Sequence, residues 1–298
     1  MSLFDQLVEL AMRNERGLAP LRVVVEKELL HHDILREMSG AGLLAKLTFI
    51  GGTCLRACYG SSRLSEDLDF TGGADFNRGN LSDLSGVLVE NLQRKYGLRV
   101  EVGEPTRETG NVDTWSFKLQ TRPGQRDLPA QRINVDICAI PSYQPRPMML
   151  RNHYGVDMGT NGLIIQAQSR EEILADKLVA FALRPNRLKN RDLWDIAWLR
   201  QQGVVLPLEL VPRKLGDHGC EVQRFMGLLA ERRQALLSEP RLQADFQREM
   251  RRFLPAALVA ETVDSPDFWR YLTSLIAEEC LRAHDFLSTG TQVSGFRM

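Results

Sequence analysis

The 298-residue chain predicts an α/β (α+β) fold. A core with a mixed sheet and N-terminal helices spans 1–165, and a helical half follows over 166–298. Three observations predict it. Apolar residues alternate at Trp115, Phe117 and Leu119, and again at Ile133, Val135 and Ile137, the period of half-buried strands. Helical spacing dominates before them. After a short strand near 163–167 the pattern turns almost wholly helical.

The elements follow in order. Leu3, Leu7, Leu10 and Ala11 predict a helix over 2–16, with Ser2 as its N-cap. Pro20, suited to a first turn, opens a helix to Met38. Val23, Lys27, Leu30, Ile34 and Met38 line one side, Val24 and Leu35 widen the apolar face, and Ser39-Gly40-Ala41-Gly42 ends it. His31 and His32 carry no motif and are read as surface. A strand through Leu47, Phe49 and Ile50 runs into Gly51-Gly52, which starts a short helix near Thr53. A helix over 81–95 (Leu81, Leu84, Leu88, Leu92) precedes strands at 98–102, 113–120 and 132–140. Residues 141–160, with Pro141, Pro145, Pro147, Gly155 and Gly159, read as loop. Ser169 and Glu172 match a capping box for a helix through Leu183, stopped by Arg184-Pro185. Another helix covers 191–201, and several more cover 207–287, interrupted at Pro212, Pro240, Pro255 and Pro266. Ser288 to Met298 reads as a loose tail.

The chemistry concentrates at Phe49-Ile50-Gly51-Gly52-Thr53 and Asp67-Leu68-Asp69-Phe70. In a strand, residues i and i+2 share a face, so Asp67 and Asp69 stand together while Leu68 and Phe70 enter the core. Adjacent carboxylates repel unless a cation lies between them, and Mg²⁺ completes such a shell with nucleotide phosphates. Gly51 and Gly52 let backbone approach a ligand, and the helix that follows aims N–H groups at phosphate. The arrangement looks like a nucleotidyltransferase site. In Arg132-Ile133-Asn134-Val135-Asp136-Ile137, Asp136 falls opposite the buried face. It is either a third metal carboxylate or an acid on the wet side of an edge strand.

A second constellation lies downstream. Lys177 sits with Asp176 on the margin of a helix that buries Ile173, Leu174, Leu178 and Phe181. It is a phosphate ligand or a snorkelling surface lysine. Asp192 and Asp195 share a helix face. Asp192 also suits a helix N-terminus without any function, with Arg191 bridging to a neighbouring acid.

Gly51-Gly52-Thr53-x-Leu55-Arg56, with Arg63-x-Ser65-x-Asp67-Leu68-Asp69-Phe70, resembles the AbiEii/AbiGii (MenT-like) nucleotidyltransferase toxin family. Asp176-Lys177-Leu178 and Arg191-Asp192-Leu193-x-Asp195 resemble its downstream motifs, so the resemblance spans about 49–196. Thr53 and Asp176 depart mildly, standing where relatives commonly have Ser or Gly and Glu. The resemblance implies a polymerase-β-like minimal nucleotidyltransferase core with Asp67 and Asp69 binding Mg²⁺ (or Mn²⁺). It also implies that Lys177 contacts nucleotide phosphates and that Asp195, from the helical half, completes the active centre. Relatives are toxins of toxin–antitoxin or phage-defence systems, some of which transfer nucleotides to tRNA.

The residues agree with that chemistry. Asp67, Asp69 and Asp136 would hold metal, and Asp136 would help activate an acceptor hydroxyl. Gly51, Gly52 and Thr53 would cradle the triphosphate, and Arg56 and Lys177 would neutralise the departing pyrophosphate. Arg63 or Ser65 would position the loop, with a structural Arg63–Asp67 pairing as the alternative. Expected partners are an NTP, an RNA acceptor (tRNA foremost) and a cognate antitoxin. Rival readings are an enzyme that adenylylates a small molecule such as an aminoglycoside, and a catalytically inactive binding module.

Composition excludes other classes. Lys+Arg and Asp+Glu both total 38, so net charge names no partner. Local surpluses do occur: Arg184, Arg187, Lys189, Arg191 and Arg200 face Asp192 and Asp195, and residues 210–252 hold nine basic and six acidic groups. These can present a basic surface to RNA or merely solvate helices. The sequence lacks an apolar run of membrane length and a secretory pattern, and five cysteines suit a reducing cytoplasm. Cys54 and Cys58 lack a partner pair for zinc. Dinucleotide and P-loop glycine motifs do not occur.

Overall fold

A computed structural model describes residues 2–15, 17–106, 110–122, 130–185 and 187–294. The chain forms two compact units, one of Met1–Gln168 with Phe253–Pro255, the other of Ser169–Arg252 with Ala256–Met298.

The first unit is built on a seven-stranded mixed sheet of order β3-β4-β5-β2-β1-β7-β6. The strands are β1 (Thr48–Ile50), β2 (Leu68–Thr71), β3 (Val100–Gly103), β4 (Val112–Leu119), β5 (Gln131–Cys138), β6 (Pro145–Met149) and β7 (Ile164–Gln168). β2 runs parallel to β5 and antiparallel to β1, and β1 runs parallel to β7. Helices α1 (Leu3–Asn14), α2 (Arg22–Gly40), α3 (Gly51–Tyr59) and α4 (Leu84–Tyr96) accompany it. α2 packs on α4 and β5, while α3 packs on β1, β2 and β7. The alternation in β4 and β5 is realised: Trp115, Phe117, Ile133, Val135 and Ile137 are buried, and each opposed residue is at least partly wet. Burying each such side chain contributes about 1.5–3 kcal/mol. Phe49 and Phe70 pack across β1 and β2 with their rings tilted by 32° and centroids 5.1 Å apart.

Several expectations are corrected. In α1 the buried stripe is Phe4, Val8 and Ala11, whereas Leu3 and Leu10 are exposed. The two stripes have equal helical spacing, and the edge contact of Phe4 with Tyr96 at 5.2 Å selects the former. The Ser2 cap forms as predicted, with Asp5 completing a capping box. Val23 is exposed, and His31 and His32 are buried. Within the expected loop 141–160 lies β6, an edge strand that tolerates Pro145 and Pro147 because the missing donors fall on its open side. Leu150 N–H donates to Leu163 O (3.0 Å), which fixes that parity.

The second unit contains α5 (Arg170–Leu183), α6 (Asn190–Gln201), α7 (Leu210–Asp217), α8 (Val222–Ser238), α9 (Pro240–Met250), a short α10 (Ala256–Leu258) extended by a π-turn over Val259–Val263, and α11 (Pro266–Ser294). Ser169 caps α5 through the Glu172 N–H (3.1 Å). Pro212 does not interrupt a helix; it lies in the first turn of α7, where N–H groups have no intrahelical partner. The chain past Ser288 is not a loose tail, because α11 continues to Ser294, and Gly295–Met298 fall outside the described residues. Among the described residues no helix is long and apolar enough to cross a membrane.

Candidate active site

The site grows from the β1–α3 turn. Ile50 stands opposite Asp69 in the β1–β2 register, and Gly51 follows with φ +75°. That left-handed conformation favours glycine. Space requires it as well, since a Cβ on Gly51 would lie 2.9 Å from Asp69 Oδ2. Gly52, next in α3, is buried. No side chain caps α3 among the described residues, so its first N–H groups remain for an anion. Gly51→Ala is expected to lower stability by about 1–3 kcal/mol and to displace Asp69. Calorimetry and a transfer assay check this, and an unchanged variant would remove the close-approach argument.

Asp69 pairs in register with Asp136 of β5. Both lie half-buried on the face opposite Leu68, Phe70, Val135 and Ile137. Asp67 precedes β2, and its Oδ1 accepts the Asn134 N–H (3.0 Å), prolonging the β2–β5 ladder. Among the described residues no three His, Cys, Asp or Glu side chains are gathered into a metal cage. Asp67, Asp69 and Asp136 are therefore not a closed triad. Their hard oxygens, with Asp69 held against Gly51, suit an open Mg²⁺ site, which takes one or two carboxylates and completes its shell with substrate phosphates.

The loop before Asp67 is fastened to α2 and α3. The Thr53 and Ser65 hydroxyls are hydrogen-bonded (2.6 Å), and Thr53 also reaches the Asp67 carbonyl. Glu28 Oε1 accepts the Ser65 N–H (2.8 Å), while its Oε2 takes Arg56 Nε (3.2 Å) and the Tyr154 hydroxyl. Arg56 further donates to Ser61 O (3.0 Å), and Arg63 donates to Leu64 O (3.0 Å). His31 Nε2 donates to Glu66 O (2.9 Å), and Lys27 pairs with Glu66 (3.0 Å). In this structure Thr53, Arg56, Ser65 and Arg63 are thus engaged in shaping the Asp67 loop. Glu28 and Tyr154, absent from the sequence reading, anchor it. An acid inside the apolar stretch of α2 was their only signal.

Burial pushes the imidazoles near this network down, His32 to about 4, with His31 and His153 lowered for the same reason. His32 Nδ1 is 2.8 Å from Thr160 Oγ1. An unfolded histidine titrates near 6.5, so between that value and about 4 the unfolded chain binds the extra proton. Stability is full above pH 6.5 and falls toward pH 4, His32 alone removing about 3 kcal/mol. The melting temperature should hold from pH 7.5 to about 6.5 and fall below that in the wild type, and it should fall less steeply in His32→Gln, where His31 and His153 still contribute.

Cys54 and Cys58 are buried apolar residues of α3. Burial raises the Cys54 thiol well above its usual value.

The second unit holds its own cluster. Lys177 Nζ lies 2.6 Å from Asp192 Oδ1 and 2.8 Å from Asp195 Oδ2. Lys177 is buried with both acids, which excludes the snorkelling reading. Arg184 adds a 3.1 Å contact to Asp192. Burial would raise the Asp192 carboxyl, but Lys177, Lys189 and Arg184 outweigh it and hold it below its ordinary value. Burial lowers Lys189, which faces the same acid. Arg191 pairs with Glu249 (3.3 Å), the bridge to a nearby acid that sequence allowed. Lys214, also missed, is fully buried against Glu172 (2.5 Å) and Asp176 (3.0 Å).

Residues 33–274 match the family described as Nucleotidyl transferase AbiEii toxin, Type IV TA system. The chain belongs to the AbiEii nucleotidyltransferase toxin family. Among solved structures it is similar to MenT4, a nucleotidyltransferase toxin from Mycobacterium tuberculosis H37Rv. That likeness has 17% identity and TM-score 0.51, over 94% of this chain and 98% of that one. It is also similar to a putative nucleotidyltransferase from H. pylori, with 18% identity and TM-score 0.48 over 88% and 97% of the two chains. No curated protein is similar enough in sequence to match. The AbiEii assignment makes the chain a nucleotidyltransferase of a toxin–antitoxin system, which implies an NTP substrate and an antitoxin. The shared architecture with MenT4 is a mixed α/β core followed by a helical half.

Proposed function

We propose that this AbiEii protein is a divalent-metal-dependent enzyme that transfers NMP from an NTP to an RNA acceptor, tRNA foremost. The supporting observation is the Asp69–Asp136 register pair with Gly51 and the open N-terminus of α3 against Asp69. Bound Mg²⁺ or Mn²⁺, held by Asp67, Asp69 and Asp136, would stabilise negative charge on the phosphates. The first N–H groups of α3, at Gly51 and Gly52, bind a phosphate oxygen. The Asp136 carboxylate orients the acceptor hydroxyl and receives its proton as the acceptor oxygen bonds to the α-phosphorus and pyrophosphate leaves. Thr53, Ser65, Arg56 and Arg63 keep the Asp67 loop in place. For Lys177 the reading is phosphate contact, with Asp192 and Asp195 fixing its ammonium group.

Incubation of the pure protein with each labelled NTP, Mg²⁺ and total RNA tests the proposal. RNA labelled by one or more nucleotides, lost on chelation, is the expected result. Expression alone should slow a bacterial host, and Asp67→Ala should relieve it. Equal toxicity would point to binding rather than transfer.

A further inference from the structure

Beside Asp136, the wet face of the sheet carries a polar ladder that the catalytic reading does not use. The β4–β5 register sets Thr114 opposite Asp136, Ser116 opposite Asn134, and Lys118 opposite Arg132. Thr114, Lys118 and Arg132 are exposed, and Ser116 and Asn134 half-buried. Directly opposed residues share a face, and like charges there are unfavourable. Lys118 meets Glu101 of β3 at 3.2 Å, but Glu101 also serves Arg99 at 3.2 Å. Arg132 has no ion pair among the described residues. One acid is thus shared by two cations, with a third alongside. The face is negative at Asp69 and Asp136, uncharged and hydroxyl-rich at Thr114, Ser116 and Asn134, and positive at Arg132, Lys118 and Arg99. Four residues of strand separate the Asp136 and Arg132 rows, about 14 Å.

We infer that this ladder is the acceptor track: it seats the sugar of the acceptor's terminal nucleotide on Thr114, Ser116 and Asn134 and a following phosphodiester on Arg132 and Lys118. This rests on the transferase reading above. The distance selects the ligand. An NTP whose phosphates lie at the carboxylates has none to offer so far away, and a small acceptor has no second phosphate at all. A polynucleotide has one at each step of its backbone.

The test uses the full-length protein and a labelled single-stranded RNA oligonucleotide with a free 3′ hydroxyl. Binding is measured by anisotropy over a range of salt, and transfer is followed with the best NTP. Each neutralised phosphate of a single strand contributes about 0.7 to the slope of log K against log salt. Arg132→Gln with Lys118→Gln removes the contacts to that one phosphodiester and should lower the slope by about 0.7. Arg132→Lys should preserve it, and Thr114→Val should raise KM for RNA. All these positions are at the surface, so melting temperatures should match wild type, and NTP affinity should persist. An unchanged slope in a wild-type-active background overturns the track but leaves the transferase reading. Transfer only to a protein or small compound, unaffected by the double variant, overturns the track and the RNA acceptor but leaves nucleotidyl transfer itself. A wild type that transfers no nucleotide to any acceptor overturns the transferase reading, and the track with it.

Discussion

Asp69→Asn is expected to reduce nucleotidyl transfer at least about a hundredfold, since even residues that only support metal ligands cost 10–100-fold when changed. Asp69 is better placed than a supporting group: it packs against Gly51 and stands in register with Asp136. The amide keeps the size and removes one of two adjacent negative charges. Like charges on neighbouring strands are destabilising by a few tenths of a kcal/mol, so the metal-free variant should melt slightly higher than wild type. With Mg²⁺ and NTP the order should reverse. Only the wild type then gains ligand stabilisation, about 2.7 kcal/mol when free ligand is a hundred times its Kd. Thermal melts with and without metal and NTP, beside the transfer assay, read both effects. Wild-type transfer by Asp69→Asn would sink the metal assignment.

Lys177→Ala should destabilise the second unit by about 3–5 kcal/mol, the range for breaking a buried ion pair. A residue on a helix margin would cost little, but here the ammonium lies within 2.8 Å of two buried carboxylates. Truncation leaves both acids without it, and Asp195 is 0% exposed. Lys177→Met combined with Asp195→Asn should recover part of the loss by removing a stranded charge with the cation. Denaturant titration of the three proteins measures this. A melting temperature within a degree of wild type for Lys177→Ala would mean that the acids are solvated. Activity should be read at low temperature, where the variant is folded, so that lost transfer is not mistaken for unfolding.

What could be read from sequence was local. Alternation at 115–119 and 133–137 located two strands and put Asp136 on their wet face, because the period of a strand is fixed by backbone geometry. The Gly-Gly turn and D-x-D likewise marked a tight approach and paired acids. Register between distant strands was not legible, since β2 meets β5 only after the chain between them has folded. Helix faces were ambiguous wherever two apolar stripes coexist, as at Leu3/Leu10 against Phe4/Val8. The prolines of β6 hid a strand because their cost vanishes at a sheet edge. Buried polar hubs were missed for a related reason. Glu28, His31 and Lys214 are polar by type, and only their partners make burial tolerable.

The Glu28 anchor bears on how small a working version of this enzyme can be. The family match begins at residue 33, yet Glu28 receives the Ser65 amide, the Arg56 guanidinium and the Tyr154 hydroxyl. A fragment trimmed to the matched range would keep Asp67, Asp69 and Asp136 and lose the residue that holds the Asp67 loop in place. It would also leave the half-buried Arg56 without its acid. The minimal catalytic body is therefore set by mechanical support rather than by motif content, and it reaches back at least through the middle of α2.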